Sequence, residues 1–228
     1  MPHKIENEKP FRGKAMEGWV ARAYNRNARH HIMPQYRVWA RSLGTLIPKG
    51  SRVLEVAPGP GYLAIELARA GAEVVGIDIS ASFVEIARRN AAEAGVRVEF
   101  RQGNAAALPF ADESFTHVVC TSSFKNFSDP LAALQEMHRV LVPGGSAWLS
   151  DMRGEVSDEE IDRYVRDDMA MRGLNALMTR MTFKKMLRKR AYTVEALREL
   201  ISKTAFVVVA ERNGPMELSF TMRKPDGH

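Results

Sequence analysis

Two glycines and two carboxylates occur at spacings that suit a nucleotide-like ligand. Glu55 lies inside an apolar run, and Gly59 and Gly61 follow it directly before a helical pattern. A glycine turn lets backbone approach a ligand closely, and the helix after it offers unpaired N–H groups. Asp78 ends the next apolar run, where a carboxylate can accept both hydroxyls of a ribose. A tight turn without ligand, and a helix-capping role for Asp78, are the alternatives.

Glu55 separates two classes of ligand for this turn. Residues 59–64 read GPGYLA and match the GxGxxG/A dinucleotide fingerprint, a pattern with many false matches. A carboxylate just before the turn would repel a pyrophosphate, whereas it suits a ligand that carries an amino group. S-adenosylmethionine has that amine and no phosphate. The segment 103–115 then offers Asn104 to the adenine amino group, and Ala105 or Leu108 to the face of the adenine ring.

The elements around these residues alternate between short apolar runs and amphipathic helices, which predicts βαβ units and a parallel sheet. The predicted strands are 52–57, 73–78, 96–100, 116–122 and 146–151, and the predicted helices are about 61–70, 81–94, 130–141 and 193–204. Segments 12–47 and 157–190 are predicted to be helical, and the chain is expected to end in a hairpin through Asn213-Gly214. The fold class is therefore α/β, doubly wound, in a single domain.

The segments EVAPGPG, GIDIS, GNAAALPF, DESF and RVLVPGG resemble the class I S-adenosylmethionine-dependent methyltransferases, in particular the small-molecule group of the ubiquinone/menaquinone-biosynthesis type. The resemblance covers about residues 50–150. It implies a Rossmann-like seven-stranded sheet of order 3-2-1-4-5-7-6, in which the hairpin supplies the antiparallel strand. It also implies S-adenosyl-L-methionine as cofactor and a set of cofactor-binding residues: Tyr24, Glu55, Ala57, Gly59, Gly61, Asp78, Ile79, Asn104, Ala105 and Cys120.

Three positions depart from the family pattern. Ala57 stands where the group usually has its first glycine, Asn104 where Asp is common, and Thr116 where Asp usually follows DESF. An Asn carbonyl can still accept a hydrogen bond from the adenine amine. Alanine can replace the glycine if its φ is negative, so we expect a negative φ at Ala57.

Methyl transfer from a sulfonium is an in-line displacement, which depends on positioning rather than on a catalytic triad. His30 and His31 are the candidates for a base, with a solvated helix face as the alternative. We expect residues 120–130 to face the acceptor, because the resemblance places that segment at the substrate. The substrate-side candidates are Tyr36, Phe124, Lys125 and Asn126, with a core position as the alternative for Phe124. No metal ligands are predicted.

The flanks carry most of the positive charge. Residues 1–50 contain 10 Lys or Arg against 3 Asp or Glu, and the run 180–190 contains six basic residues and no acid. We expect residues 1–50 to form a helical lid, 51–151 the cofactor-binding core, 152–192 a helical insertion over the substrate site, and 193–228 a helix and hairpin. The basic run is expected to rim the opening for an anionic acceptor; a solvated surface, a membrane surface and RNA are the alternatives.

Composition narrows the classes of function. The one cysteine, Cys120, excludes an internal disulfide framework, and no apolar run approaches the length of a membrane span or a signal peptide. We therefore expect a cytoplasmic methyltransferase that acts on a small molecule. The absence of an Asn/Asp-Pro-Pro-Tyr/Phe sequence disfavours methylation of nucleic-acid base amines. The alternatives are an RNA or protein methyltransferase, a cofactor-binding module without catalysis, and a nicotinamide-dependent oxidoreductase.

Overall fold

A mixed seven-stranded sheet forms the centre of the protein. The computed structural model describes residues 15–227, apart from the side chain of His31. The strand order is β3-β2-β1-β4-β5-β7-β6, with β1 to β5 parallel and β7 antiparallel to both of its neighbours. The predicted fold class and strand order are therefore confirmed. The strands are β1 Arg52–Val56, β2 Glu73–Asp78, β3 Glu99–Gln102, β4 Phe115–Thr121, β5 Leu141–Met152, β6 Val207–Asn213 and β7 Glu217–Arg223.

Helices cover both faces of the sheet, and each face has its own hydrophobic core. On one face the strands pack against α5 and α8, and on the other against α2, α3 and α4. Successive residues of a strand point to opposite faces, so one strand contributes to both cores. The described helices are α1 Gly18–His31, α2 Met33–Gly44, α3 Tyr62–Arg69, α4 Ala81–Glu93, α5 Pro130–Val140, α6 Asp158–Arg163, α7 Gly173–Thr182 and α8 Val194–Ser202.

Two strands differ from their predicted bounds by more than one residue. β3 begins at Glu99 rather than at Val96, because the Val96 N–H bonds back to the Ala91 carbonyl as the chain leaves α4. β5 begins at Leu141, and its twelve residues include the glycines that mark a turn in the sequence. A backbone hydrogen bond from Lys224 to the Gly145 carbonyl shows why the strand continues there, since a distant segment covers that stretch.

The helical segment after β5 packs around a core of its own. α6 begins with a capping box, in which the Ser157 hydroxyl accepts from the Glu160 N–H and the Glu160 carboxylate accepts from the Ser157 N–H. α6 and α7 each continue into a π-helical turn, Tyr164–Asp168 and Phe183–Leu187. This arrangement places the buried side of the segment against Met152, at the carboxyl end of β5.

Candidate functional site

Asp78 ties the glycine turn to the end of β2. The Gly59 N–H donates to Asp78 Oδ2 at 2.9 Å, and the Ser80 N–H donates to Asp78 Oδ1 at 2.9 Å. Burial raises the pKa of this carboxyl, while these backbone donors act in the opposite direction. Each oxygen of the Asp78 carboxylate can accept two hydrogen bonds, so both oxygens can still accept hydrogen bonds from ribose hydroxyls. The ribose role of Asp78 stays a prediction.

Glu55 is a buried carboxyl without a hydrogen-bonding partner. It is 1% exposed, and neither of its oxygens forms a hydrogen bond with any described residue. Burial raises its pKa to about 8; the nearby Ala64 N–H acts against this rise, and the charge of Asp78 adds to it. A buried charge without a partner is unstable unless a ligand supplies one. A primary ammonium group fits this carboxyl, as the amino group of S-adenosylmethionine would.

The backbone of the turn corrects one prediction. Ala57 has a φ of 57°, in the left-handed region, so the expectation of a negative φ was wrong. The turn needs this conformation because the Ala57 N–H donates to the Ile77 carbonyl at 2.8 Å while the chain reverses toward α3. An L-residue pays roughly 1–2 kcal/mol for a left-handed conformation. The turn thus keeps the geometry of a glycine at this position despite the methyl group.

The two glycines of the turn serve different purposes. Gly61 has a φ of 81°, and a Cβ there would lie 2.8 Å from Phe100 Cζ and 2.9 Å from Ala87 Cβ. Gly59 has a φ of 54°, but a Cβ would meet nothing within 4 Å. Gly61 is therefore needed for packing onto β3 and α4. The open space beside Gly59 is available to a ligand.

The residues predicted on the adenine side lie at loop positions after β2 and β3. Asn104 is exposed, and its Oδ1 accepts from the Ala106 N–H at 3.0 Å. Ile79 is exposed, whereas Ala105 is partly buried. The adenine roles of these residues stay predictions. Leu108, the alternative to Ala105, is buried in the core.

A polar network docks α1 onto the glycine turn. The Tyr62 hydroxyl donates to Asn25 Oδ1 at 2.8 Å, and Asn90 Nδ2 donates to the Pro60 carbonyl at 2.8 Å and to Asn25 Oδ1 at 3.1 Å. Just before α1, the Glu17 carboxylate accepts from two N–H groups at the start of α4. Hydrogen bonds thus hold α1 just before its first residue, at Glu17, and near its middle, at Asn25.

Tyr24 of α1 and Tyr36 of α2 lie near the carboxyls of the site. The Tyr24 ring packs edge-on against Phe83, with 5.6 Å between centroids. Burial raises the pKa of Tyr36, and the negative charges of Tyr24 and Glu55 raise it further. Burial also raises the pKa of Tyr24, and the charge of Asp78 adds to that rise. The predicted acceptor contact, Tyr36, therefore lies near Glu55, and the predicted cofactor contact, Tyr24, lies near Asp78. Their roles stay predictions.

Glu217 is a carboxyl at the same edge of the sheet that the sequence did not single out. Trp39 Nε1 donates to Glu217 Oε1 at 3.1 Å and to Oε2 at 3.2 Å, and the Ser150 hydroxyl also donates to it. Burial raises its pKa, and these two donors oppose that rise. Burial raises the pKa of Tyr164, and the charges of Asp168 and Glu217 raise it further. Trp39 and Glu217 are 178 positions apart, so no local pattern could pair them.

Two of the predicted acceptor residues after β4 are buried. Phe124 is fully buried in the sheet core, which is the alternative stated for it. The Lys125 ammonium donates to Asp151 Oδ1 at 2.6 Å, and the Lys125 N–H donates to Asp151 Oδ2 at 2.9 Å. In this arrangement Lys125 is not available to an acceptor, because it compensates a buried acid. Asn126 retains a buried Oδ1 that bonds to no described residue, and its acceptor role stays a prediction.

Cys120 and the two histidines lie in different surroundings. Cys120 is buried in the core shared with α5 and α8. Burial raises the pKa of its thiol well above the usual value, and the charges of Asp151 and Glu55 raise it further, so the thiol lies within electrostatic range of Glu55. Its cofactor role stays a prediction. His30 is exposed on α1, which is the solvated alternative, and the side chain of His31 lies outside the described residues. A catalytic role for either histidine stays a prediction.

The basic run 180–190 is divided between inner and outer residues. Lys184 lies 2.9 Å from the Asp162 carboxylate, and Arg188 lies 2.6 Å from that of Asp158. Lys185 and Lys189 are exposed. Two members of the predicted basic rim thus fix the run to α6 rather than facing an acceptor.

Residues 15–227 contain neither a cluster of metal ligands nor a membrane-spanning helix. No three His, Cys, Asp or Glu side chains in this part of the chain are grouped to hold a metal ion. None of the described helices is both long and apolar enough to cross a membrane.

Known proteins with a similar sequence or fold agree with the geometry. Residues 53–145 match a family model described as a methyltransferase domain. The demethylmenaquinone methyltransferase of Thermus thermophilus is 46% identical over 96 residues, which cover 41% of this chain and 44% of that protein. The match thus spans about half the length of that relative.

A longer match comes from the demethylmenaquinone methyltransferase of Renibacterium salmoninarum, which is 32% identical over 176 residues, covering 76% of this chain and 72% of that protein. In fold, the chain is similar to a Methanococcus maripaludis protein assigned as an S-adenosyl-L-methionine-dependent methyltransferase, with a TM-score of 0.75 at 20% identity over 95% of this chain and 97% of that one. The sheet order, the glycine turn and these matches together show that the chain belongs to the class I S-adenosylmethionine-dependent methyltransferases.

Proposed function

We propose that this protein transfers a methyl group from S-adenosyl-L-methionine to a small-molecule acceptor. The observation that carries the proposal is Glu55, a buried carboxyl without a described partner, beside a glycine turn tied to Asp78. A nicotinamide dinucleotide would bring a pyrophosphate toward that carboxyl. A ligand with an ammonium group and an unphosphorylated ribose satisfies both acids.

Each cofactor role follows from the local geometry. Glu55 binds the amino group, Asp78 accepts the ribose hydroxyls, and the open side of Gly59 allows close approach of the ligand. Asn104 and Ile79 lie after β3 and β2, on the side proposed for adenine. When bound, the cofactor supplies an electrophilic methyl group on a sulfonium.

The protein contributes mainly position and exclusion of water. Alignment of two reactants can supply about 7–11 kcal/mol of a barrier, so a methyltransferase of this kind does not depend on a triad. The hydrogen bonds of Asn25 and Asn90 hold α1 across the glycine turn. We infer that α1 closes the site over its ligands, as predicted for residues 1–50.

The acceptor is proposed to bind between α1, α2 and the segment 152–192. Tyr24 and Tyr36 come from the first two helices, and Tyr164, whose pKa is raised by burial and by nearby charges including that of Glu217, comes from the third. Aromatic side chains suit a flat apolar acceptor. Glu217 supplies the carboxylate that can receive the proton lost by an acceptor hydroxyl. The relatives named demethylmenaquinone methyltransferase make a hydroxylated aromatic ring the first class to test.

A macromolecular acceptor is less well supported. Lys184 and Arg188 form ion pairs with α6, which reduces the basic surface that RNA would contact. The tyrosines of α1 and α2 lie over the site, where a large acceptor would have to displace them. A small molecule requires no such displacement.

Transfer of a labelled methyl group tests this function. The protein would be incubated with methyl-tritiated S-adenosylmethionine and a cell extract, and the label would be measured in the solvent-soluble and acid-precipitable fractions. We expect label in the solvent-soluble fraction, and none above background with Asp78→Ala. Label confined to precipitated protein or RNA would contradict the proposal.

A further inference from the structure

α7 carries a stripe of large apolar side chains that face solvent. Leu174, Leu177, Met178 and Met181 are 70%, 52%, 59% and 53% exposed. Their spacing of three, one and three residues places them on one side of a helix. The opposite side of α7 is buried through Ala176, which packs with Ile161 and Val165. These four exposed residues are called the α7 stripe below.

The α7 stripe differs from the scattered apolar residues of an ordinary surface. Single exposed hydrophobic side chains are common, but a contiguous row on one helix marks an interaction site in most soluble proteins. No described residue covers the row, and Ala176, on the other side of the helix, is the buried residue of α7. We therefore expect the α7 stripe to contact a partner outside residues 15–227.

The charges at both ends of the stripe indicate what that partner is. Arg172 precedes α7, and Lys185 and Lys189 lie in the turns after it. All three are exposed, and none forms an ion pair with a described residue. The chain contains no Asp or Glu between residues 169 and 192. Along the chain, the stripe is thus flanked by basic residues and by no acid from 169 to 192.

The basic residues that precede Lys185 and Lys189 in the sequence form ion pairs within the protein. Lys184 and Arg188 bind the acids of α6, so they fix the helix in place. Lys185 and Lys189 lie one position beyond each of them and point to the outer surface. Within the run, Lys184 and Arg188 thus have a structural role, whereas Lys185 and Lys189 remain available to a partner.

We propose that the α7 stripe docks onto an anionic lipid bilayer. A short helix with an apolar side and a basic border lies in the membrane interface, with its apolar side chains at the level of the acyl chains and its bases near the lipid phosphates. RNA would use the bases but would leave the four apolar side chains in water. A protein partner would have no need for positive charge at both ends.

Vesicle co-sedimentation tests the proposal on the full chain. We expect binding to vesicles of phosphatidylcholine with about one third phosphatidylglycerol to exceed binding to pure phosphatidylcholine by about tenfold. Leu177→Gln with Met181→Gln should reduce binding to the anionic vesicles by about tenfold, because two inserted side chains are lost. Lys185→Gln with Lys189→Gln should bring binding near the level on neutral vesicles.

The matched control is Val38→Gln with Leu46→Gln, two residues of similar exposure on α2 and the turn after it. This variant should bind like the parent. Circular dichroism melting of all variants would show that each is folded. The proposal would be overturned if the parent did not bind anionic vesicles, or if the stripe and control variants bound equally. It would also be overturned if the stripe formed a dimer in solution that bound no vesicles.

Discussion

Burial of Glu55 couples ligand binding to pH. Its pKa is raised to about 8, so at pH 6–7 the carboxyl of the ligand-free protein is mainly protonated. A ligand with an ammonium group binds the ionised form, so binding must release a proton below this pKa. We expect the affinity for S-adenosylhomocysteine to rise with pH up to about 8, by at most about tenfold per pH unit. Calorimetry at several pH values measures this slope.

The control for this prediction is Glu55→Gln. The amide has no proton to lose, so its affinity should be lower than that of the parent at pH 8 and nearly independent of pH. The raised pKa of Glu55 also makes the free energy of unfolding of the ligand-free protein depend on pH. Because the folded pKa exceeds the usual value of 4.5, the contribution of Glu55 to stability falls as pH rises from about 4.5 to 8. Parallel affinity profiles for parent and variant would show that Glu55 does not bind the charged group.

Glu217 yields a prediction on the acceptor side. Burial raises its pKa above 4.5, so the carboxylate becomes protonated as pH falls through that raised value. If it receives the acceptor proton, the kcat/KM of the parent should fall as pH drops below that pKa. Glu217→Gln should lower kcat/KM by about 10²–10⁴ at higher pH, where the parent carboxylate is ionised, while the affinity for S-adenosylhomocysteine stays within about twofold. The acid limb of the pH profile should also disappear.

Ser150→Ala is the matched control for Glu217, because it removes one donor to the carboxylate and leaves the carboxylate in place. It should keep the acid limb, displaced toward higher pH since a stabilising hydrogen bond is lost. An unchanged pH profile in Glu217→Gln would assign this carboxyl to structure alone, as the anchor of Trp39.

The sequence was informative at residues whose role depends on near neighbours. Glu55 and Asp78 were predicted because each lies at a fixed distance from a strand and a turn. Lys125 was assigned to the acceptor, but its partner Asp151 lies 26 positions away and draws it into the interior. The conformation of Ala57 was missed because the path of the turn, rather than the residue type, sets its φ.

At the scale of elements, the glycine turn has two positions that respond differently to the same change. Gly61→Ala should reduce the free energy of unfolding by about 2–4 kcal/mol, because the methyl group meets Phe100 and Ala87 at less than 3 Å in a left-handed conformation. Gly59→Ala should cost about 1–2 kcal/mol from backbone strain alone. Thermal melting compares the two.

The same two variants distinguish a role in packing from a role in ligand approach. Gly59→Ala places its methyl group in the open space proposed for the cofactor, so S-adenosylhomocysteine affinity should fall although the protein remains folded. Equal losses of stability at the two positions would contradict the structural assignment.

α1 and α2 differ in how they join the fold. α2 buries Tyr36, Trp39 and Leu43 in the core. α1 buries only small side chains fully, Ala21 and Ala28, and adds polar contacts such as that of Tyr62 with Asn25. Deletion of residues 1–31 should leave a folded protein with weakened transferase activity. Deletion of residues 1–44 should unfold it or lower its melting temperature sharply. Circular dichroism melting distinguishes these outcomes; equal melting of both truncations would show that α2 is also dispensable.

Elements were predicted well where apolar runs and stop signals lie close together. α3 and α4 begin and end within about one residue of their predicted bounds, since Gly and short polar segments bracket each of them. The extension of β5 was not predictable from its own residues, because Lys224, near the end of the described chain, bonds to Gly145. The antiparallel position of β7 came from the family resemblance rather than from local pattern.

For the whole molecule, the division of basic residues between paired and exposed positions matters more than the net charge. The run 180–190 was expected to form a basic rim, yet the structure pairs Lys184 and Arg188 with acids of α6. Surface pairs of this kind contribute about 0–1 kcal/mol each, so they orient the segment more than they stabilise it. The positive charge left at Lys185 and Lys189 faces outward. Charge counted along a sequence does not reveal which bases remain available in the fold.

The account depends most on the identity of the ligand at Glu55 and Asp78, which calorimetric titration of the full chain measures directly. We expect S-adenosylhomocysteine to bind saturably at one site per chain and NADH not to compete. Asp78→Ala, shown to be folded by circular dichroism, should weaken that binding by about 2–3 kcal/mol through the loss of charge-assisted hydrogen bonds. Unchanged affinity in this variant, or tight binding of NADH by the parent, would contradict the assignment.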